Sequence, residues 1–145
     1  LMGRIGESVR SRSGLAYYAS SSINAWADSG TWEFSAGTNP ENLVKTIDLM
    51  REEIKRYVTS EVSEDELADS KSNLIGRLPL SLESNAGLAN AILSIERFNL
   101  GLDYYQRYAQ LINAVTAGQI LNASRKYLDP DRLVIASAGP GNDIL

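Results

Sequence analysis

The feature that most limits this chain is an order of patterns. A short helical stripe is followed by two adjacent period-two runs, then a series of helical stripes, then one isolated apolar run. In the first run Leu15, Tyr17, Ala19, Ser21, Ile23 and Ala25 share one face, and Tyr18, Ser20, Ser22, Asn24 and Trp26 the other. Asp28-Ser29-Gly30 supplies turn chemistry. Residues 31–36 alternate again, with Trp32, Phe34 and Ala36 together. The pair reads as an antiparallel hairpin.

Helical spacing precedes and follows it. Met2, Ile5 and Val9 predict a helix over residues 1–13, closed by Gly14. Asn39-Pro40-Glu41 is a helix start, with a cap residue, a proline at the first position and an acid near the positive dipole end. Leu43, Ile47, Met50, Ile54 and Tyr57 then form one stripe to about residue 59. Ser63-Glu-Asp-Glu66 is a capping box. Its helix carries Leu67, Lys71, Leu74 and Leu78 and stops near Pro79, with Leu80 and Leu82 as a bent continuation in the alternative. Ala86, Ala89, Ile92, Ile95 and Phe98 give a third helix closed near Gly101. Tyr105, Tyr108, Leu111, Ile112 and Val115 give a fourth, and Thr116 caps a fifth that ends around Leu128. After the turn Asp129-Pro130-Asp131, residues 133–138 read as a buried strand, ended by Gly139-Pro140-Gly141 and a frayed tail.

Strands and helices are largely segregated. The expected fold is therefore α+β, a small and mostly antiparallel sheet covered on one face by several helices, in one domain over residues 1–145. Three strands are few for so many helices. The sheet is expected to lack partners upstream of Leu1, so that its exposed edges favour self-association.

Composition narrows the chemistry. Neither histidine nor cysteine occurs among the 145 residues. Without imidazole or thiolate the chain cannot build an ordinary zinc, haem or iron–sulfur site, nor run Ser–His or Cys–His catalysis. A net charge of −4 argues against a general nucleic-acid surface. No apolar run approaches the roughly 20 residues of a membrane span. The compartment stays open.

The segment that can carry chemistry is Arg10-Ser-Arg-Ser-Gly-Leu-Ala-Tyr17. Arg10 closes the first helix, Gly14 turns the chain, and Tyr17 opens the strand. The turn aims a guanidinium and a phenol toward one end of the sheet. Together they suit a peptide carbonyl whose oxygen gains charge under attack, and the strand can pair with an extended substrate backbone. Spacing alone favours a plainer account, a cation complementing a helix dipole beside a half-buried tyrosine. Arg4 and Arg12 read as solvated neighbours, with Arg12 the aiming residue if the helix end shifts. Glu64, Asp65 and Glu66 are explained by capping, Ser20 to Ser22 lack any base, and Tyr104, Tyr105 and Tyr108 read as core and surface edge rather than a ligand stack.

The run from Leu1 to Tyr17 resembles the C-terminal-type, non-zinc half of pitrilysin/insulinase zinc metallopeptidases, the family of mitochondrial processing peptidase and related bacterial processing proteases. Later segments agree in order: Thr38-Asn-Pro-Glu41, Val62-Ser-Glu-Asp-Glu-Leu67, Asn113-Ala-Val-Thr-Ala117, Tyr127-Leu-Asp-Pro130 and Leu133-Val-Ile. No one motif is unique; their order is the specific feature. The resemblance implies that Arg10 and Tyr17 bind substrate backbone near the scissile bond. It implies that zinc, held by a His-x-x-Glu-His motif absent here, belongs to another half-domain or subunit. This chain would then bind no metal, contain no catalytic residue, and partner a peptide substrate and a zinc-bearing half. A non-catalytic peptide-binding subunit is the alternative, and an α+β interaction module with accidental likeness a third reading.

Overall fold

The computed structural model describes residues 3–26 and 28–140. The chain forms two compact units, Leu1–Ser60 with Leu121–Leu145, and Glu61–Ile120. The expectations for Met2 and for residues 141–145 lie outside the described residues.

In the first unit the opening helix widens to the π pattern over Gly6–Arg12. Ser13 Oγ donates to Ser8 O, five residues back, at 2.7 Å. Gly14 then takes φ +60°, which glycine adopts without steric cost. Its N–H donates to Arg10 O at 3.1 Å, and the Leu15 N–H reaches Val9 O at 3.1 Å. Gly14 ends the helix as its sequence indicates, with a cap one residue wider than an α-helix needs.

Strand β1 (Ala16–Ala25) pairs antiparallel with β2 (Gly30–Thr38). Ala19 faces Ala36, Ser21 faces Phe34 and Ile23 faces Trp32. Trp32 and Phe34 stack at 5.9 Å. The register slips between Ala16 and Tyr18, so Tyr17 falls in a bulge. This corrects the expected alternation. Ala16 and Ala19 both pack into the core, while Tyr17 is 86% exposed. One extra residue reverses the phase of everything before it.

Pro40–Asn42 forms a 3-10 turn ahead of α1 (Leu43–Thr59). Asn39 makes no side-chain cap; its carbonyl accepts from the Asn42 N–H at 2.9 Å instead. Ile5, Val9 and Ala16 form the core with Phe34, Ala36, Leu49 and Met50 around them. The buried face of α1 also carries Thr46 and Glu53, and Glu53 pairs with Arg56 at 2.9 Å.

In the second unit α2 (Glu64–Leu82) begins where Ser63 Oγ accepts from the Glu66 N–H. It runs through Pro79 instead of stopping there, as the alternative reading had it. Ser81 Oγ donates to Leu78 O at 2.7 Å, a local bond on this last turn. Helix α3 (Asn85–Arg97) is capped by Ser84 Oγ on the Gly87 N–H at 3.0 Å. Its left-handed terminator is Asn99 (φ +50°), two residues before the expected Gly101. Leu100 N–H reaches Ile95 O and Asn99 N–H reaches Glu96 O, a Schellman close. The apolar stripe read on α3 is not a buried one, for Ile92 is 57% exposed. Helix α4 (Tyr104–Asn113) carries a tyrosine cluster, and Thr116 and Gln119 cap α5 (Ala117–Tyr127) reciprocally.

The end of α5 returns to the first unit, where Arg125 Nε donates to Val58 O at 2.9 Å. Asp129 Oδ1 accepts from the Asp131 N–H at 3.0 Å, the expected turn. The final strand does not form. Residues 133–138 pair with neither β1 nor β2, and Val134 is wholly exposed. A strand needs a neighbour for its amides and carbonyls, and this run has none among the described residues.

Candidate functional site

Three departures from regular structure meet between Gly6 and Tyr18: the wide helix, the left-handed Gly14 and the bulge at Tyr17. They set where the two candidate site residues sit. Arg10 lies in the last turn of the helix and is exposed. Its own carbonyl is capped by the Gly14 N–H, which fixes the backbone and leaves the side chain free. Tyr17 stands at the start of β1 with its phenol in solvent. Among the described residues neither side chain has a hydrogen bond, ion pair or ring contact.

Their neighbours differ. Arg12 is paired with Glu7 through Nη2 at 3.1 Å and Nε at 3.2 Å, and Arg4 lies over the Tyr57 ring at 4.6 Å. Of the arginines flanking this turn, Arg10 is the one with a free guanidinium among the described residues. The helix end shows no shift that would bring Arg12 into its place.

A chain of hydroxyls supports the turn. Thr46 Oγ1 donates to Thr38 Oγ1 at 3.2 Å, and Thr38 Oγ1 donates to Leu15 O at 2.5 Å. Thr46 is 2% exposed, so the chain starts in the core of α1 and ends two residues before Tyr17. Sequence reading missed both threonines. The signal was there: Thr46 interrupts the apolar stripe three residues after Leu43, and a polar group on a buried face needs a partner. Gly37 was missed as well. A Cβ there would collide with the Tyr18 ring, so the glycine seats that ring beside the bulge.

The remaining candidates are structural. Ser20 and Ser35 bond to each other across the strands at 3.1 Å. Tyr104, Tyr105 and Tyr108 pack on one another with centroids 5.1 to 6.4 Å apart. Burial, then the neighbouring Tyr104 and Tyr105, push the Tyr108 phenol above its ordinary value. Among the described residues no group of three acidic side chains converges to hold a metal. With histidine and cysteine absent as well, the donor set of this chain does not fit zinc. No helix among the described residues is long and apolar enough to cross a membrane.

Comparison with known proteins identifies the family. The profile of the peptidase M16 inactive domain matches residues 2–74, half of the chain, and the chain belongs to that family. It is 28% identical over 92 residues to an uncharacterized zinc protease of Streptomyces coelicolor, covering 63% of this chain and 20% of that protein. Among solved structures it resembles a peptidase M16 inactive domain from Pseudomonas fluorescens, with TM-score 0.78 and 26% identity over 89% of this chain and 31% of the other. A conserved protein from Enterococcus faecalis matches with TM-score 0.72 and 24% identity over 83% and 28% of the two chains. The periplasmic protease PqqL of Escherichia coli shares the fold at TM-score 0.64 and 21% identity, over 86% of this chain and 14% of that one. The chain thus spans a fifth of the curated relative and under a third of these structures.

Proposed function

We propose that this chain is the substrate-side domain of a zinc-dependent endopeptidase acting on peptides or unfolded polypeptides, with the zinc held by another domain or subunit. It acts as one domain of that larger assembly. Arg10 and Tyr17 bind the backbone of the scissile peptide, and their donors strengthen their hold as the carbonyl oxygen gains charge. The observation that carries the reading is the pair of free donors flanking the Gly14 turn, in a chain of the M16 inactive-domain family. The absence of histidine and cysteine from the 145 residues supports the division of labour.

The test is turnover by the peptidase assembled with its zinc-bearing part. Losing one such donor costs about 2.7–4 kcal/mol in the transition state. Arg10→Ala and Tyr17→Phe should each lower kcat/KM by roughly a hundredfold or more, with Arg12→Ala near wild type. Wild-type turnover in both variants would remove the pair from the mechanism. An assembly that binds peptide through Arg10 yet never cleaves it would mark a non-catalytic subunit instead.

A further inference from the structure

Three neighbours of Tyr17 are each tied down. The Leu15 N–H donates to Val9 O at 3.1 Å, and the Leu15 carbonyl accepts from Thr38 Oγ1 at 2.5 Å. Ala16 is 8% exposed and sits in the core cluster with Ile5 and Val9. The Tyr18 ring occupies the space that a Cβ on Gly37 would need. Tyr17 itself is exposed and makes no hydrogen bond, ion pair or ring contact among the described residues. A side chain without contacts of its own takes its direction from its backbone, and here that backbone is held from outside.

The opposite strand supplies the two residues that bracket the bulge. Ala16 pairs with Thr38 and Tyr18 with Gly37. Gly37 acts by having no side chain. Thr38 acts through its hydroxyl, whose single proton goes to Leu15 O, so that its oxygen is left to accept. Thr46 Oγ1 donates to that oxygen at 3.2 Å. Thr46 is 2% exposed on α1, so water does not compete for the bond. With one bond given and one received, the Thr38 hydroxyl has a fixed direction. It links the buried face of α1 to a carbonyl two residues before Tyr17.

We propose that Thr38 is a positioning residue for the peptidase reaction: its hydroxyl, oriented by Thr46, sets the direction in which Tyr17 offers its phenol to the substrate carbonyl. The inference rests on the proposed function and adds a residue to it. Thr38 touches no substrate atom and acts through the Leu15 backbone. A donor that tightens its hold only as charge develops must stand within about 0.5 Å of its productive place. Misplacing it therefore lowers kcat and moves KM little.

The test is a double-mutant cycle in the peptidase assembled with its zinc-bearing part, with kcat and KM measured well below the Tm of every variant. Thr38→Val should lower kcat roughly tenfold or more with KM within about twofold of wild type, and Thr38→Ser, which keeps the hydroxyl, should restore most of it. In a Tyr17→Phe background, Thr38→Val should add a loss of under about threefold, since no phenol remains to misplace. A loss of stability alone would instead multiply in full onto the Tyr17→Phe loss. Thr46→Val removes the upstream bond and should repeat the pattern more weakly, which decides the matter if Thr38→Val fails to fold. With Tyr17→Phe impaired, three results would overturn the positioning role and leave the substrate-side reading standing: wild-type kcat in Thr38→Val, no rescue by serine, or full multiplication in the double variant. Wild-type turnover in Tyr17→Phe would overturn that reading and this inference with it.

Discussion

Thr38→Val isolates the hydroxyl chain that holds the Arg10–Tyr17 turn. Valine keeps the shape and the strand preference, so no cavity opens and the change is one of hydrogen bonding. Two bonds disappear: Thr38 to Leu15 O at 2.5 Å and Thr46 to Thr38 at 3.2 Å. Each is worth about 1 kcal/mol net. Thr46 is 2% exposed and cannot turn to water, so its hydroxyl carries a desolvation penalty as well. The sum is about 2–3 kcal/mol. For a chain near this length that lowers Tm by roughly 4–12 °C, at about 2–4 °C per kcal/mol. Urea denaturation at fixed pH measures it, with Thr38→Ser as the control that keeps the hydroxyl and should lose under about 1 kcal/mol. Hydrogen exchange at Gly14 and Leu15 should speed up in the valine variant. A valine variant within about 0.5 kcal/mol of wild type, or a serine variant as unstable as valine, would show that the chain of hydroxyls does not hold the turn.

Gly37→Ala puts a Cβ into the Tyr18 ring and should cost about 1–3 kcal/mol by denaturant titration, with much of the loss recovered in the Gly37→Ala, Tyr18→Ala double variant. At Gly14 the added Cβ meets nothing within 4 Å, so Gly14→Ala should cost only the backbone penalty of about 1–2 kcal/mol, and asparagine less. The Arg107 guanidinium, bonded through Nε at 2.6 Å, holds the Asp103 carboxyl below its ordinary value of 3.8. A depressed folded-state value stabilises above 3.8 and is lost as pH falls through it, so the support to α4 should be complete at neutral pH and fade below about pH 4. Circular dichroism of Asp103→Asn against wild type across pH 2 to 7 checks the sign: the two should converge at the acid end and differ at the neutral one.

The hairpin and the helix starts were legible because local chemistry decides them. Gly14 needs only a backbone without a Cβ, and Ser63 and Thr116 need only an amide three residues ahead. What escaped depends on partners distant in sequence. The strand pattern at 133–138 is real, but pairing requires a neighbour that the described residues do not supply. Pro79 carries a local stop signal that the surrounding helix overrides. The α3 terminator moved from Gly101 to Asn99 because asparagine also tolerates the left-handed region. At the candidate site Arg10 and Tyr17 were visible as residue types, while the bulge that turns Tyr17 outward was not. Alternation is read by parity, and a single inserted residue changes parity without leaving a mark in composition.

That lost parity bears on the functional reading. A regular strand in the register of Ala19 would put Tyr17 on the core face and turn Ala16 to the other. A regular α-helix ending at Arg12 would carry a narrower cap and rotate Arg10 relative to Gly14. Instead the segment from Gly6 to Tyr18 holds a π-helix, a left-handed residue and a bulge in succession, each less favourable than the regular alternative. Irregularity of this kind persists only where the surroundings enforce it, and here the Thr46–Thr38–Leu15 chain and the Tyr18 ring over Gly37 are the enforcers. Their joint effect is to keep a core-prone tyrosine in solvent, across the Gly14 turn from an arginine that pairs with no acid among the described residues. For stability alone, a buried phenylalanine at 17 on a regular strand would serve better. Under the proposed function these two donors bind substrate, so Tyr17→Phe should leave Tm nearly unchanged while lowering turnover of the assembled peptidase, and a large loss of stability in that variant would argue for a structural tyrosine instead.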